Sequence, residues 1–149
     1  MIYFGEVTAD NWRKVNSLRV SKEQEKFVAP NVTILARAYA YRNEGGKVLI
    51  IFNDNEMIGL AFYREWNNRY ILDQFMIDYR HQGKGYSKVA LGLILERMKK
   101  EEKYDRVELC YCKGNIVGEK LFKGLGFHHV DSEDEDDEIV MALDLYSFS

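Results

Sequence analysis

One stretch constrains this chain more than any other: Tyr70 to Met98, YILDQFMIDYRHQGKGYSKVALGLILERM, where an apolar strand breaks into a glycine turn and the turn opens a helix. Gly83 and Gly85 lack Cβ atoms, so the backbone of Gln82 to Tyr86 can take turn conformations closed to other residues and come close to a ligand. The first amides of the following helix have no intrahelical acceptors, and the helix dipole adds partial positive charge there. An anion at this spot is therefore stabilised twice over. Arg80 and Lys84 supply formal charge beside it. The junction reads as a phosphate cradle.

Familiar phosphate loops do not fit. The chain has no P-loop Lys-Ser/Thr pair after the turn, and a dinucleotide fingerprint needs a third glycine where Lys88 stands. A lone Gly-x-Gly is most simply explained as a turn and nothing more. What remains is Arg80-His81-Gln82-Gly83-Lys84-Gly85, of the form Arg-x-x-Gly-x-Gly. It resembles the pyrophosphate-binding motif of the GNAT family of N-acetyltransferases, Gln/Arg-x-x-Gly-x-Gly/Ala between a strand and a helix. Two further segments carry the resemblance in the family's order. One is the apolar strand Phe75-Met76-Ile77; the other is Asn115 to Phe127, NIVGEKLFKGLGF, similar to Asn-x-x-Ala-x-x-Leu-Tyr-x-x-x-Gly-Phe. The chain departs from that last pattern at Gly118, where alanine is usual, and at Phe122, where tyrosine is usual.

A chain of 149 residues is expected to form a single domain, 1–149, with a core that needs no disulfide or metal. The run Asp131 to Glu138 holds seven of the 24 acids, so the rest is mildly basic, 21 groups against 17. That suits an anionic cofactor and gives no reason to expect nucleic acid. No early segment reads as a leader and no apolar run reaches membrane-span length, so no membrane partner and a cytoplasmic location are expected. Cys110 and Cys112 share a strand face and have no further cysteines to complete a metal site, so they read as core or packing residues. His81 and His128-His129 lack partners at metal spacing, and no metal is expected.

Periodicity predicts a strand over Ile2 to Val7, then a helix capped by Thr8 that buries Trp12, Val15 and Leu18. Ser21 to Phe27 form a second, charged piece. Pro30-Asn31 opens a helix to about Arg42 with Ile34, Leu35, Ala38 and Tyr39 as its buried stripe. Val48 to Phe52 and Met57 to Tyr63 make a hairpin through Asn53-Asp54-Asn55. After the central strand and cradle comes a helix with a broad apolar face that includes Val89, Leu93 and Met98. Arg106 to Cys112 follow as a strand with Val107, Leu109 and Tyr111 on one side. Asn115 caps the next helix, Gly126 stops it, and Phe127 to Val130 with Ile139 to Leu145 form a last hairpin around the acidic run. The expected class is α/β, a GNAT-like mixed central β-sheet with helices on both faces.

The resemblance implies acetyl-CoA as cosubstrate. Its pyrophosphate would rest on the amides of Gln82, Gly83, Lys84, Gly85, Tyr86 and Ser87 beside Arg80. Its pantetheine arm would pair with the backbone of Phe75, Met76 and Ile77, with Asn115 reaching it from the other side. An attacking amine with a lysine-like pKa loses its proton at a cost of about 4.6 kcal/mol at pH 7. Asp73, on the face of Ile71 and Phe75, is the candidate helper, with a salt bridge to Arg64 or Arg69 as its structural alternative. Phe122 cannot donate a proton to the leaving sulfur, which makes Tyr111 the candidate acid.

Glu23-Gln24-Glu25 with FVAPN, and YILDQFMID, resemble the bacterial diamine and spermine/spermidine acetyltransferase branch. Glu23, Glu25 and Asp73 are then candidate substrate ligands for a small-molecule amine, a polyamine first. Other amines, such as a peptide N-terminus, an aminoglycoside or an amino acid, stay open, as does a non-catalytic acyl-CoA sensor. A homodimer is compatible with these features without being encoded in them.

Overall fold

The computed structural model describes residues 1–130 and 133–148. Seven strands form one sheet in the order β1-β2-β3-β4-β5-β7-β6. They are β1 (Ile2–Gly5), β2 (Lys47–Asn53), β3 (Glu56–Trp66), β4 (Arg69–Ile77), β5 (Arg106–Cys112), β6 (His128–His129) and β7 (Glu138–Asp144). Four helices accompany them: α1 (Trp12–Ser17), α2 (Asn31–Ala40), α3 (Tyr86–Glu101) and α4 (Ile116–Gly124). All pairings are antiparallel except β4 with β5. One core, with Val15, Ile34 and Phe62, lies under α1 and α2. The other, with Leu91, Ile94, Val107 and Met141, lies under α3, and the apolar side of α4 packs onto it. Helices on both faces of a mixed sheet is the expected architecture.

The central strand carries the feature that shapes the site. Phe62 pairs with Gln74 but Tyr63 pairs with Leu72, so Asp73 is an extra residue in β4. A one-residue insertion moves every later side chain to the other face. Tyr70 and Leu72 accordingly share a core with Phe75 and Ile77, an odd step that a regular strand does not permit. The expectation that Asp73 and Phe75 share a face is thereby corrected. Asp73 turns toward α2, and Phe75 toward the α3 side. Beyond this point β4 and β5 separate, since they pair only at Tyr70 with Val107 and Ile71 with Glu108.

Several local expectations also change. β1 ends at Gly5, and the Thr8 hydroxyl accepts the amides of Asp10 and Asn11, so the helix starts only at Trp12. Trp12 is exposed at the first position of α1, under the Arg13 guanidinium. Tyr39 is exposed beneath Arg42, and Tyr41 takes its place in the core, because 34, 38 and 41 recur at helical spacing and 39 does not. Asn31 is not a cap. It is buried in the first turn of α2, and its Nδ2 donates to the carbonyls of Val15 and Leu18, tying α2 to α1. Lys22–Phe27 form a 3-10 segment. Val89 and Leu93 face outward from α3. Cys110 and Cys112 are not core residues but lie on the face opposite Val107, Leu109 and Tyr111.

Candidate active site

The glycine turn takes the shape its sequence allows. Gly83 and Gly85 sit at φ +77° and +82°, the left-handed region where a Cβ is costly. A Cβ added at either would meet nothing within 4 Å, so the backbone faces open space where a ligand fits closely. Gly85 caps α3 without any side-chain hydrogen bond. Among the described residues, no acceptor meets the backbone N–H groups of residues 83–87. These are the donors an anion uses.

Asp78, which the sequence reading did not single out, holds the turn in place. It is fully buried at the end of β4. Its carboxylate accepts the amides of Arg19 (2.9 Å) and Arg80 (3.1 Å) and Nε of Arg80 (2.8 Å). Burial alone would raise its pKa, but the Arg80 guanidinium and the two amides outweigh burial and hold it below the usual carboxylate range. Arg80 is thus tethered by Nε while its side chain stays 56% exposed beside the cradle. The readable signal was an Asp at a strand end two residues before an unpaired amide, an Asx turn.

A cleft of about 530 Å³ runs from the turn into the opening between β4 and β5. Phe75, Met76 and Ile77 form one wall; Asn115, Leu121 and Phe122 form the other; Gln24, Phe27 and Val28 roof it. The main-chain groups of Met76 are turned toward β3, where its carbonyl lies against Gly59 and the Asp78 amide reaches Ile58. Strand alternation therefore leaves Phe75 and Ile77, rather than all three residues, with backbone groups on the open edge. Asn115 caps α4 as expected, its Oδ1 accepting the Gly118 amide at 3.0 Å, which leaves Nδ2 as the donor toward the cleft. Gly118 has a role of its own, since a Cβ there would come within 2.8 Å of that Nδ2.

Asp73 stands at the mouth of the opening. Its Oδ2 accepts NH2 of Arg37 (2.8 Å) and Nε of Arg64 (3.0 Å), and Arg64 stacks over Tyr41. The ion pair with Arg64 is the structural alternative foreseen, whereas Arg69 instead pairs with Glu108. Among the described residues Oδ1 has no partner, so one carboxylate oxygen stays available to a ligand. Cys110 lies nearby. Although the residue as a whole is exposed, desolvation of its sulfur first, then the Glu138 carboxylate, push its thiol up to about 12.

Tyr111 does not line the cleft. It is buried behind Phe122, with ring centroids 5.9 Å apart, and burial followed by Glu119 raises its phenol. Glu23 and Glu25 are exposed on the 3-10 segment. Glu25 borders a second cleft of about 500 Å³ with Arg19, Pro30 and Asn31, which shares Val20, Val28 and Met76 with the first. Of the acidic run, Asp131 lies outside the described residues; Asp134 accepts the Val140 amide and contacts His129.

A model of the acetyltransferase (GNAT) family matches residues 12–127. The chain belongs to that family. It is an acyltransferase built on the family's fold. It is similar over 93% of its length, at 28% identity, to the spermine/spermidine N(1)-acetyltransferase of Bacillus subtilis strain 168, of which 95% is covered. Among solved structures it is similar to the spermidine N-acetyltransferase of Vibrio cholerae in complex with CoA and spermine (TM-score 0.76, 16% identity, 97% and 96% of the two chains). It is equally similar in fold to the ribosomal-protein-S18-alanine N-acetyltransferase of Escherichia coli (TM-score 0.74, 15% identity, 97% and 94%). One fold thus serves a spermidine enzyme and a ribosomal-protein-alanine enzyme, and the choice of amine rests on side chains. Among the described residues no cluster of three or more His, Cys, Asp or Glu could hold a metal, and no helix is long and apolar enough to cross a membrane.

Proposed function

We propose that this GNAT-family acyltransferase moves the acetyl group of acetyl-CoA to a primary amine of a polyamine, in a ternary complex. The cofactor half of the reading is carried by one observation: two glycines with positive φ turn a row of unpaired N–H groups toward open space at the start of α3. The pyrophosphate would sit on residues 82–87, with Arg80 beside it. The pantetheine amides would pair with the free main-chain groups of Phe75, with the amide of Ile77, whose carbonyl Gln82 already holds, and with Nδ2 of Asn115, so that the thioester would lie near Asp73, where β4 and β5 part.

The amine nitrogen attacks the thioester carbonyl carbon, a C–N bond forms, and the C–S bond breaks. Asp73 has already given Oδ2 to two guanidinium groups, so its role is to orient the amine through Oδ1. The ammonium gives one proton to water before it attacks, the nitrogen gives a second to water as the tetrahedral intermediate collapses, and the sulfur leaves as a thiolate, a fair leaving group with a pKa of about 8.5. Phe122 supplies no proton, and none from Tyr111 is needed.

The full-length similarity to a spermine/spermidine acetyltransferase supports a polyamine as acceptor. The exposed Glu23 and Glu25 on the segment roofing the cleft give its distant ammonium groups charge-assisted partners. The test compares kcat/KM for spermidine, a monoamine of equal length and a peptide amine at low and high salt. Preference for spermidine that weakens with salt is expected. Equal use of the monoamine at both salts would remove the polyamine from this reading.

A further inference from the structure

The segment that roofs the cleft is stitched to the cradle beneath it. Residues 19–28 meet the turn at two places, and Ala29 directly after them meets β4. At its start, the Arg19 amide donates to Oδ2 of buried Asp78, and the Tyr79 amide donates to the Arg19 carbonyl at 2.7 Å. In its middle, Nε2 of Gln82 donates both to Oε1 of Gln24 (2.9 Å) and to the carbonyl of Ile77 (2.8 Å). The same Gln24 oxygen accepts the Ser21 amide, closing a capping box with Ser21 that gives the 3-10 segment its shape. At its end, Nε2 of Gln74 donates to the Ala29 carbonyl. Gln82 directly precedes Gly83, and both line the cleft. The Gln82–Gln24 bond thus joins the turn to the roof that carries Glu23 and Glu25.

We infer that Gln82 and Gln24 are positioning residues that couple the filled cradle to the acceptor roof, so that CoA on the turn orders the segment the amine must meet. The inference rests on the cofactor reading above and goes beyond it. No contact between the two ligands is required; each biases one shared element. The chemistry of Gln24 makes the idea specific. Only its oxygen is used, so Gln24→Glu keeps both hydrogen bonds while Gln24→Leu loses both at similar size.

The experiment is hydrogen exchange of residues 19–28 with and without CoA, in wild type, Gln24→Leu, Gln24→Glu and Gln82→Leu, with CoA binding and thermal melting followed separately. In the wild type, CoA should slow exchange across the roof at least ~5-fold, the lower end of ordinary coupling. Gln24→Leu should still bind CoA yet show less than ~2-fold slowing, as should Gln82→Leu at whatever CoA concentration saturates it, and Gln24→Glu should restore the slowing. A parallel arm measures spermidine affinity with and without CoA, where the wild-type gain should vanish in the two leucine variants. Full slowing in Gln24→Leu or Gln82→Leu, loss in Gln24→Glu, or no slowing in CoA-saturated wild type overturns the coupling. Absence of CoA binding overturns it together with the cofactor reading. If spermidine binds to no form, the polyamine reading falls, while the exchange arm alone decides the coupling.

Discussion

The two halves of β4 share one strand but have opposite fates. At Tyr70 and Ile71 the strand is paired on both edges, and from Arg69 to Leu72 its polar side chains are used up within the protein. Arg69 meets Glu108, and the Tyr70 hydroxyl meets Glu101, which also holds Tyr63 and Lys47. From Phe75 to Ile77 only one edge is paired, and the strand runs into a turn whose amides have no acceptor. Exposed amides at the start of a helix that no protein group uses are ready donors for an anion. The one-residue insertion at Asp73 divides the halves. It parts β4 from β5, and it aims Asp73 at α2 and Phe75 at the opposite core.

Changes in the open half should therefore hit binding, and changes in the closed half should hit stability. The largest effect is expected from Gly83→Val, which forces a branched side chain to φ +77° and fills the space above the amides. Calorimetry should show CoA affinity falling about a hundredfold, the scale of losing one or two hydrogen bonds to a charged group, in a protein that still melts cooperatively. Affinity near wild type would erase the distinction between the halves.

Asp73→Asn tests the boundary itself. Weakening the bond to two guanidiniums should cost about 2 kcal/mol in denaturant unfolding, and kcat/KM for the amine should drop about tenfold or more. Lost stability with unchanged kcat/KM would assign Asp73 wholly to the closed half.

Low pH should strain both halves, and the sign follows from three carboxylates. Glu101, Glu108 and Asp78 are each pushed up by burial, but their hydrogen-bonded partners win and hold them below their ordinary range. Their stabilisation is present above the unfolded pKa, about 4, and is lost as pH falls through the lower folded values. Asp78→Asn should melt below wild type at pH 7, with the gap closing below about pH 4. A gap that keeps its pH 7 size through the whole acid range, with no narrowing as pH falls, would mean the Asp78 carboxylate does not hold the turn by its charge.

Much of this was legible in the sequence. The Gly83 and Gly85 turn, the Asn115 cap and the sides of β5 all follow from local rules, because each is decided within a few residues. The phase of β4 was not, since nothing in YILDQFMID announces that Asp73 is skipped by its partner strand; the pairing with β3 decides it. Nor was the Gln82 to Gln24 bond, whose ends lie 58 residues apart. Tyr39 failed for a smaller reason, an aromatic two positions from the one that fits the stripe.

The smallest effect is expected at Phe122, on the wall of the open half. Phe122→Tyr adds one hydroxyl on the cleft wall, and should leave melting unchanged and turnover at or above wild type. A large loss in a stable protein would show that α4 does not flank the reacting sulfur.

The central claim is that the open half of β4 and the turn after it are the CoA site. Backbone amide NMR of the labelled protein, titrated with CoA, tests it most directly. The account predicts saturable shifts at Phe75, Ile77 and Gly83 through Ser87, with Tyr70, Ile71 and Leu72 unmoved. Shifts centred on Tyr70 to Leu72 or elsewhere, with the glycine turn silent at saturation, would contradict it.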